Sequence, residues 1–380
     1  MAKSVIFHIG LPKSGTTYLQ TTLWSHADRL RQRGVLLPGD GHREHRWGSL
    51  EVREDPRIRH RHERATGSWD RLTAAVADWD GTAVITHEFY CGASRDQARR
   101  ALDALAPAEV HLVLTARDPL RTLTSAWQEM VKYGNTTPIE EFSVDVSDSP
   151  ARIWNWRALD VAEVLDRWGG LVPPDRVHVL PVPRRDSSRQ LLWERFGGLV
   201  VDDPEALPAP DVRINASIGL VECEVMRRVG AHLTDLAALP RSTWVRKYLA
   251  ETRLANGSRE RFSPGAARVE ECRDRARRAV RDIERGGYHV VGSLEDLLVP
   301  DDLPALREPS DVTEAEVAAR LAEVVAEMLT DLRGRAAQSN AVGRRVRRLE
   351  RDLAHLTAAS QRRSLTLRRA LGAARRWRNR

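Results

Sequence analysis

The chain has 380 residues, of which 42% are hydrophobic and 30% charged, with a formal net charge of +7. That is ample for one α/β domain with additional elements, and enough apolar material for a buried core. No segment approaches 18 apolar residues and the first apolar run begins at Val5, which excludes a transmembrane helix and predicts a soluble, cytosolic protein without a signal peptide. Three widely spaced cysteines, Cys91, Cys223 and Cys272, form neither a disulfide framework nor a metal-ligand pattern. Of 60 basic residues four are lysines, Lys3, Lys13, Lys132 and Lys247, so a lysine at a functional position stands out against an arginine background.

The first element is Val5-Ile6-Phe7-His8-Ile9, whose β-branched and apolar residues predict a buried strand. Gly10-Leu11-Pro12-Lys13-Ser14-Gly15 breaks it, and Tyr18, Leu19, Leu23 and Leu30 recur at helical spacing over residues 16–31. Strand, glycine loop and helix aim backbone N–H groups and a helix dipole at an anion, so phosphate is the expected guest. Gly10 and Gly15 keep the spacing of a nucleoside-triphosphate loop, but Thr16 stands where that loop needs lysine. The cation lies earlier, at Lys13.

Pro12-Lys13-Ser14-Gly15-Thr16-Thr17 resembles the 5′-phosphosulfate loop of sulfotransferases that use 3′-phosphoadenosine 5′-phosphosulfate (PAPS), and residues 8–20 are particularly similar to bacterial members. The resemblance implies that Lys13 neutralises the leaving phosphate. It implies also that Ser14, Gly15, Thr16 and Thr17 hold the 5′-phosphate through hydroxyls and amides, without magnesium.

Gly34 to Pro38 predicts a short strand. Residues 39–67 are polar and weakly patterned; the spacing of His42, His45, His60 and His62 fits no metal template and predicts a solvated loop. Ser68 to Trp79 reads as a helix with Ser68 as N-cap. Thr82 to Thr86 is a second buried strand with His87 and Glu88 at its carboxyl end, the edge where parallel sheets bind ligands. Both are candidate general bases. Thr86-His87 resembles the Thr-His of cytosolic sulfotransferases, whereas bacterial relatives favour a glutamate, here Glu88; strand alternation turns one of the pair to the site and the other away.

A helix over residues 94–105 leads to the strand Val110–Thr115 and then to Arg117-Asp118-Pro119, with Asp118 and Pro119 as N-cap and first residue of a helix. Arg117 and Ser125, eight residues apart, resemble the family's 3′-phosphate site, where guanidinium and hydroxyl grip a phosphate that ATP lacks. A helix over 152–168, a strand over 176–182 and a helix over 187–196 continue the alternation of a parallel sheet. From Pro204 the periodicity is helical; Arg213 to Ser217 resembles an Asn-x-Ser segment of bacterial sulfotransferases, and residues 257–264 loosely resemble their late basic loop.

From Arg333 onward 15 arginines face Glu350 and Asp352, a local balance of +13 that leaves −6 for the rest. Val342, Val346, Leu349, Leu353 and Leu356 have the spacing of a short coiled-coil seam, so the tail suits a homodimer or an anionic surface. The chain thus predicts a three-layer α/β fold, a P-loop NTPase-like parallel sheet flanked by helices, over residues 1–300, helical from about 204, with a basic helical extension over 311–380. The predicted function is transfer of a sulfonate from PAPS to a hydroxyl of a carbohydrate, glycolipid or small natural product. The competing readings are a P-loop kinase and a degenerate nucleotide-binding adaptor.

Overall fold

The computed structural model describes residues 2–142, 147, 149–150, 152–184, 189–210, 217–233 and 240–378, with side chains of the last helix described as far as 352. Arg213 to Ala216 lie outside the described residues, as do the first residues of the helix expected over 187–196. The chain divides into two compact units, Met1–Val317 and Ala318–Arg380.

The first unit is built on six parallel strands: β1 (Ser4–Gly10), β2 (Val35–Leu36), β3 (Thr82–Thr86), β4 (Glu109–Ala116), β5 (Val177–Pro181) and β6 (His289–Val290), in the order β2-β3-β1-β4-β5-β6. β1 lies at the centre; Phe7 pairs in register with Ile85 on one side and Leu112 on the other. From β1 the chain winds toward one edge, then crosses to β4 on the opposite side of β1. The crevice at the carboxyl ends of β1, β3 and β4 is therefore the switch point where such sheets take ligands.

Alternation along β1 divides the core. Val5, Phe7 and Ile9 face one layer, where Phe7 meets the rings of Trp69, Tyr90 and Trp168 at centroid distances of 5.8, 4.8 and 5.6 Å. Ile6 faces the other, among Leu19, Leu23, Leu180, Leu192 and Trp193. Helices cover both faces, which gives three layers. They include α1 (Thr16–Ser25), α2 (His42–Val52), α3 (Ser68–Ala77), α4 (Arg95–Asp103), α5 (Pro119–Lys132), α6 (Val161–Trp168), α7 (Arg189–Gly197), α8 (Leu220–Ala231) and α9 (Ala266–Gly286). Between α8 and α9, Arg241–Arg253 winds with the wider π spacing. The last helix, α10 (Glu314–Arg378), begins in the first unit and makes up the second.

Four local expectations change. Residues 39–67 contain α2 rather than an open loop. Its buried residues are mostly polar or small, Glu44, His45, Gly48 and Ser49 beside Leu50 and Val52, so hydropathy conceals it. His45 donates from Nε2 to the Pro38 carbonyl at 2.7 Å and accepts the Thr86 N–H at 3.0 Å. Ser68 is not an N-cap; that place is Gly67, at φ 75°, and the α3 N-terminus is satisfied by the Glu51 carboxylate, which accepts the Gly67 and Trp69 N–H groups at 2.7 Å each. The helix expected over 152–168 is interrupted at Asp160, whose side chain caps α6 through the Ala162 N–H. The segment after 204 is not wholly helical, because β6 returns to the sheet; two residues are too short for a strand pattern to register. Among the described residues no helix is long and apolar enough to cross a membrane.

Candidate active site

The loop after β1 is held from below by a run of buried hydroxyls and one imidazole. His8, fully buried, bridges Thr86 Oγ1 on β3 (2.8 Å) and Thr115 Oγ1 on β4 (3.1 Å). Thr115 meets Ser14 Oγ at 2.6 Å, and Ser14 donates to the Leu11 carbonyl at 2.5 Å. The Ser14 hydroxyl thus closes the loop on itself. Burial lowers the His8 pKa to about 4, so the ring is neutral at pH 7.

The loop needs left-handed backbone at Lys13 (φ 66°) and Gly15 (φ 87°). Gly15 is the N-cap of α1 and no side chain caps that helix. The backbone N–H groups of Ser14, Gly15, Thr16 and Thr17 meet no acceptor among the described residues. Four amides at a helix N-terminus form a concavity for an anion. Thr16 is buried and Thr17 exposed, so the two neighbouring hydroxyls look in different directions.

Glu88 stands against this loop. A Cβ at Gly10 would lie 2.7 Å from the Glu88 carbonyl oxygen, so glycine permits the contact. The Glu88 carboxylate accepts from Gln20 Nε2 of α1 at 3.0 Å. Burial pushes its pKa up, but His87, a backbone N–H, Gln20 and His8 together hold it below the usual carboxylate value, so it is ionised. His87 is differently employed. Its Nδ1 accepts the Phe89 N–H at 3.1 Å, which caps the short turn Glu88–Gly92, and sits 3.3 Å from Ser49 Oγ on α2. Its Nε2 is 3.9 Å from Glu88, and burial lowers its pKa to about 4. Of the two candidates, Glu88 is the partly exposed one beside the loop; His87 is buried and turned toward α2.

On the other side of β1, Arg117 follows β4 and Asp118 caps α5 by accepting the Arg121 N–H at 2.8 Å. Arg117 Nη1 donates to Ser125 Oγ at 3.1 Å and to the Lys13 carbonyl at 3.4 Å. The eight-residue spacing therefore closes into direct contact beside the loop.

The sequence reading did not single out Gln20, Glu129, Lys132 or Arg246. Lys13 Nζ donates to Glu129 Oε2 at 3.2 Å, and Arg246 Nη2 lies 3.1 Å from the other oxygen. Lys132, three residues beyond Glu129, is buried; burial lowers its pKa, with Lys13 adding to the effect and Glu129 opposing it. A signal was present, since Ser125, Glu129 and Lys132 lie at i, i+4 and i+7 on one helix face. Arg246 had none, because it reaches the site from 117 residues beyond Glu129. The loosely matched stretch 257–264 instead packs Phe262 on Trp127 at 5.4 Å between ring centroids.

Among the described residues no group of three or more His, Cys, Asp or Glu side chains is arranged to hold a metal ion. No protein-family pattern, curated protein or solved structure matches the chain.

Proposed function

We propose that this chain is a PAPS-dependent sulfotransferase with a P-loop NTPase-like fold, transferring a sulfonate to a hydroxyl of a carbohydrate, glycolipid or small natural product. The observation that carries the reading is the convergence, at one sheet edge, of a lysine inside the phosphate loop, an Arg117–Ser125 pair at 3.1 Å beside it, and an ionised Glu88 across from them. A triphosphate loop with threonine at position 16 lacks its usual clamp; a single phosphate bridged to a sulfonate needs less charge, and Lys13 suits it. The parallel strand order around β1 is what supports the finer fold assignment.

In this reading the amides of residues 14–17 take the 5′-phosphate, with Thr16 and Thr17 at the helix start. Arg117 and Ser125 take the 3′-phosphate. Glu88 receives the acceptor hydroxyl's proton as its oxygen attacks sulfur, and Lys13 stabilises the charge that collects on the departing phosphate. The donor set is cationic and N–H-rich, which fits a bisphosphorylated adenosine. The tail's arginines and its exposed Val342, Val346 and Leu349 support a further role in self-association or in contact with an anionic surface.

Calorimetry with adenosine 3′,5′-bisphosphate, ADP and AMP, without magnesium, tests the assignment. The bisphosphate should bind far more tightly than AMP, and Arg117→Ala should remove most of that preference, a loss of about 2–5 kcal/mol. Equal affinity for the bisphosphate and AMP would sink it.

A further inference from the structure

Glu129 is a nearly buried carboxylate with cations on both oxygens, Lys13 at 3.2 Å and Arg246 at 3.1 Å, and Lys132 close enough to act on it. The partners come from three places: the phosphate loop, the π-wound segment Arg241–Arg253, and α5 itself. Arg246 is fixed a second time, with Nε 3.1 Å from Glu251 and its guanidinium over the Tyr133 ring at 4.9 Å. Burial pushes the Glu129 carboxyl up, yet Lys13, Arg246 and Lys132 hold it below its ordinary value. Other buried carboxylates of this chain also hold two cations, as Asp55 and Asp160 do; what sets Glu129 apart is that one of its cations is the loop lysine.

We propose that Glu129 is a positioning residue for Lys13: its carboxylate competes with an incoming phosphate or sulfonate for the same ammonium, and so sets how far Lys13 commits to a bound donor. Arg246 and Lys132 make the exchange feasible. When Lys13 turns to a donor oxygen, Glu129 keeps Arg246 on one oxygen and Lys132 nearby, so no buried anion is left without a counter-charge. The segment Arg241–Arg253 is thereby coupled to the phosphate loop through a single carboxylate. The proposal rests on the sulfotransferase reading for the identity of the donor.

The chain's four lysines make a direct test practical. The full-length protein is pulse-labelled with acetic anhydride and the modification of each lysine is read by mass spectrometry. Lys3, exposed at the surface, serves as internal reference. Glu129→Gln removes the anion that holds the Lys13 ammonium at 3.2 Å, so the released Lys13 should label several-fold faster relative to Lys3. The same variant should bind adenosine 3′,5′-bisphosphate more tightly, by about tenfold at most. That gain should vanish when Lys13→Ala is combined with it, because the competition then has no object. Unchanged Lys13 labelling, unchanged or weaker nucleotide binding, or a gain that persists without Lys13 each overturns the proposal. If Glu129→Gln does not fold, Glu129→Asp, which withdraws the carboxylate by one methylene, is read in both assays by the same criteria. Wild-type protein that fails to prefer the bisphosphate over AMP overturns the sulfotransferase reading itself, and the proposal with it. A wild type that binds it while the variants do not respond overturns the proposal alone.

Discussion

Lys13, Glu88 and His87 all follow the carboxyl ends of β1 and β3 but are held in different ways, and substitutions should separate them. Lys13 is a partly exposed ammonium in left-handed backbone, tethered to a carboxylate rather than packed in the core. In the proposed chemistry its interaction strengthens as charge reaches the bridging oxygen, so Lys13→Ala should lower turnover more than PAPS affinity. Parallel measurement of kcat and of nucleotide Kd checks this. Glu88→Gln keeps the shape of the side chain and its contact with Gln20 but removes the base; kcat should fall by about a hundredfold or more. His87→Asn should instead act mainly on stability, by about 1 kcal/mol, because Nδ1 caps a turn and faces Ser49. Loss of turnover only in the His87 variant would reverse the two roles.

At the scale of elements, imidazoles tie the strands together at both ends of the sheet. His8 joins β3, β1 and β4 beneath the loop, and His45 joins α2 to β3. Toward the amino ends, His111, His178 and His289 form a chain across β4, β5 and β6, with nitrogens 2.9 and 2.8 Å apart, and Glu109 at 3.0 Å from His111. Burial, and for His178 also the neighbouring rings, lowers the pKa of His8, His45, His87 and His178 to about 4 from the usual 6.5. Between those values the unfolded chain binds more protons than the folded one, so stability rises with pH through this window and falls on acidification. For the three fully buried rings the loss approaches about 3 kcal/mol each by pH 4. The lowered carboxylates Glu88 and Glu129 act in the same direction at still lower pH. The melting temperature should therefore drop steeply from pH 7 to pH 5, and His178→Gln should flatten part of that slope. A melting temperature flat over this range would contradict the buried, neutral state of these rings.

For the molecule as a whole, every residue assigned to the donor and the base lies in the unit Met1–Val317. The helix beyond it carries exposed Val342, Val346 and Leu349 and more than the whole of the chain's excess positive charge. Truncation after Leu332 should leave adenosine 3′,5′-bisphosphate binding unchanged. It should alter either the mass in solution, read by sedimentation, or retention on anionic vesicles or glycans. Salt separates the two outcomes: an apolar seam persists in roughly half-molar salt, whereas arginine contacts with a polyanion weaken steeply. Truncated protein that no longer binds the nucleotide would refute the division of roles.

What the sequence determined by itself was local. Apolar runs marked β1, β3, β4 and β5, because strands buried on both faces leave an unbroken hydrophobic signal. Asp118 and Pro119 marked the start of α5, since capping chemistry is read within a few residues. The meeting of Arg117 with Ser125 beside the Lys13 loop was legible because the spacing follows from a loop and one helix. The tertiary structure decided the rest. Of the adjacent His87 and Glu88, which is buried and which stays partly exposed depended on α2 and α1, with Ser49 meeting one and Gln20 the other. The polar helix α2 and the two-residue β6 exist through docking rather than through a pattern of their own. Glu129 became part of the site only when Lys13 and Arg246 met it, one from 116 residues before and the other from a distant helical segment. Sequence order carries no trace of such meetings, because a charge far along the chain finds its partner through the packing of the elements that carry it.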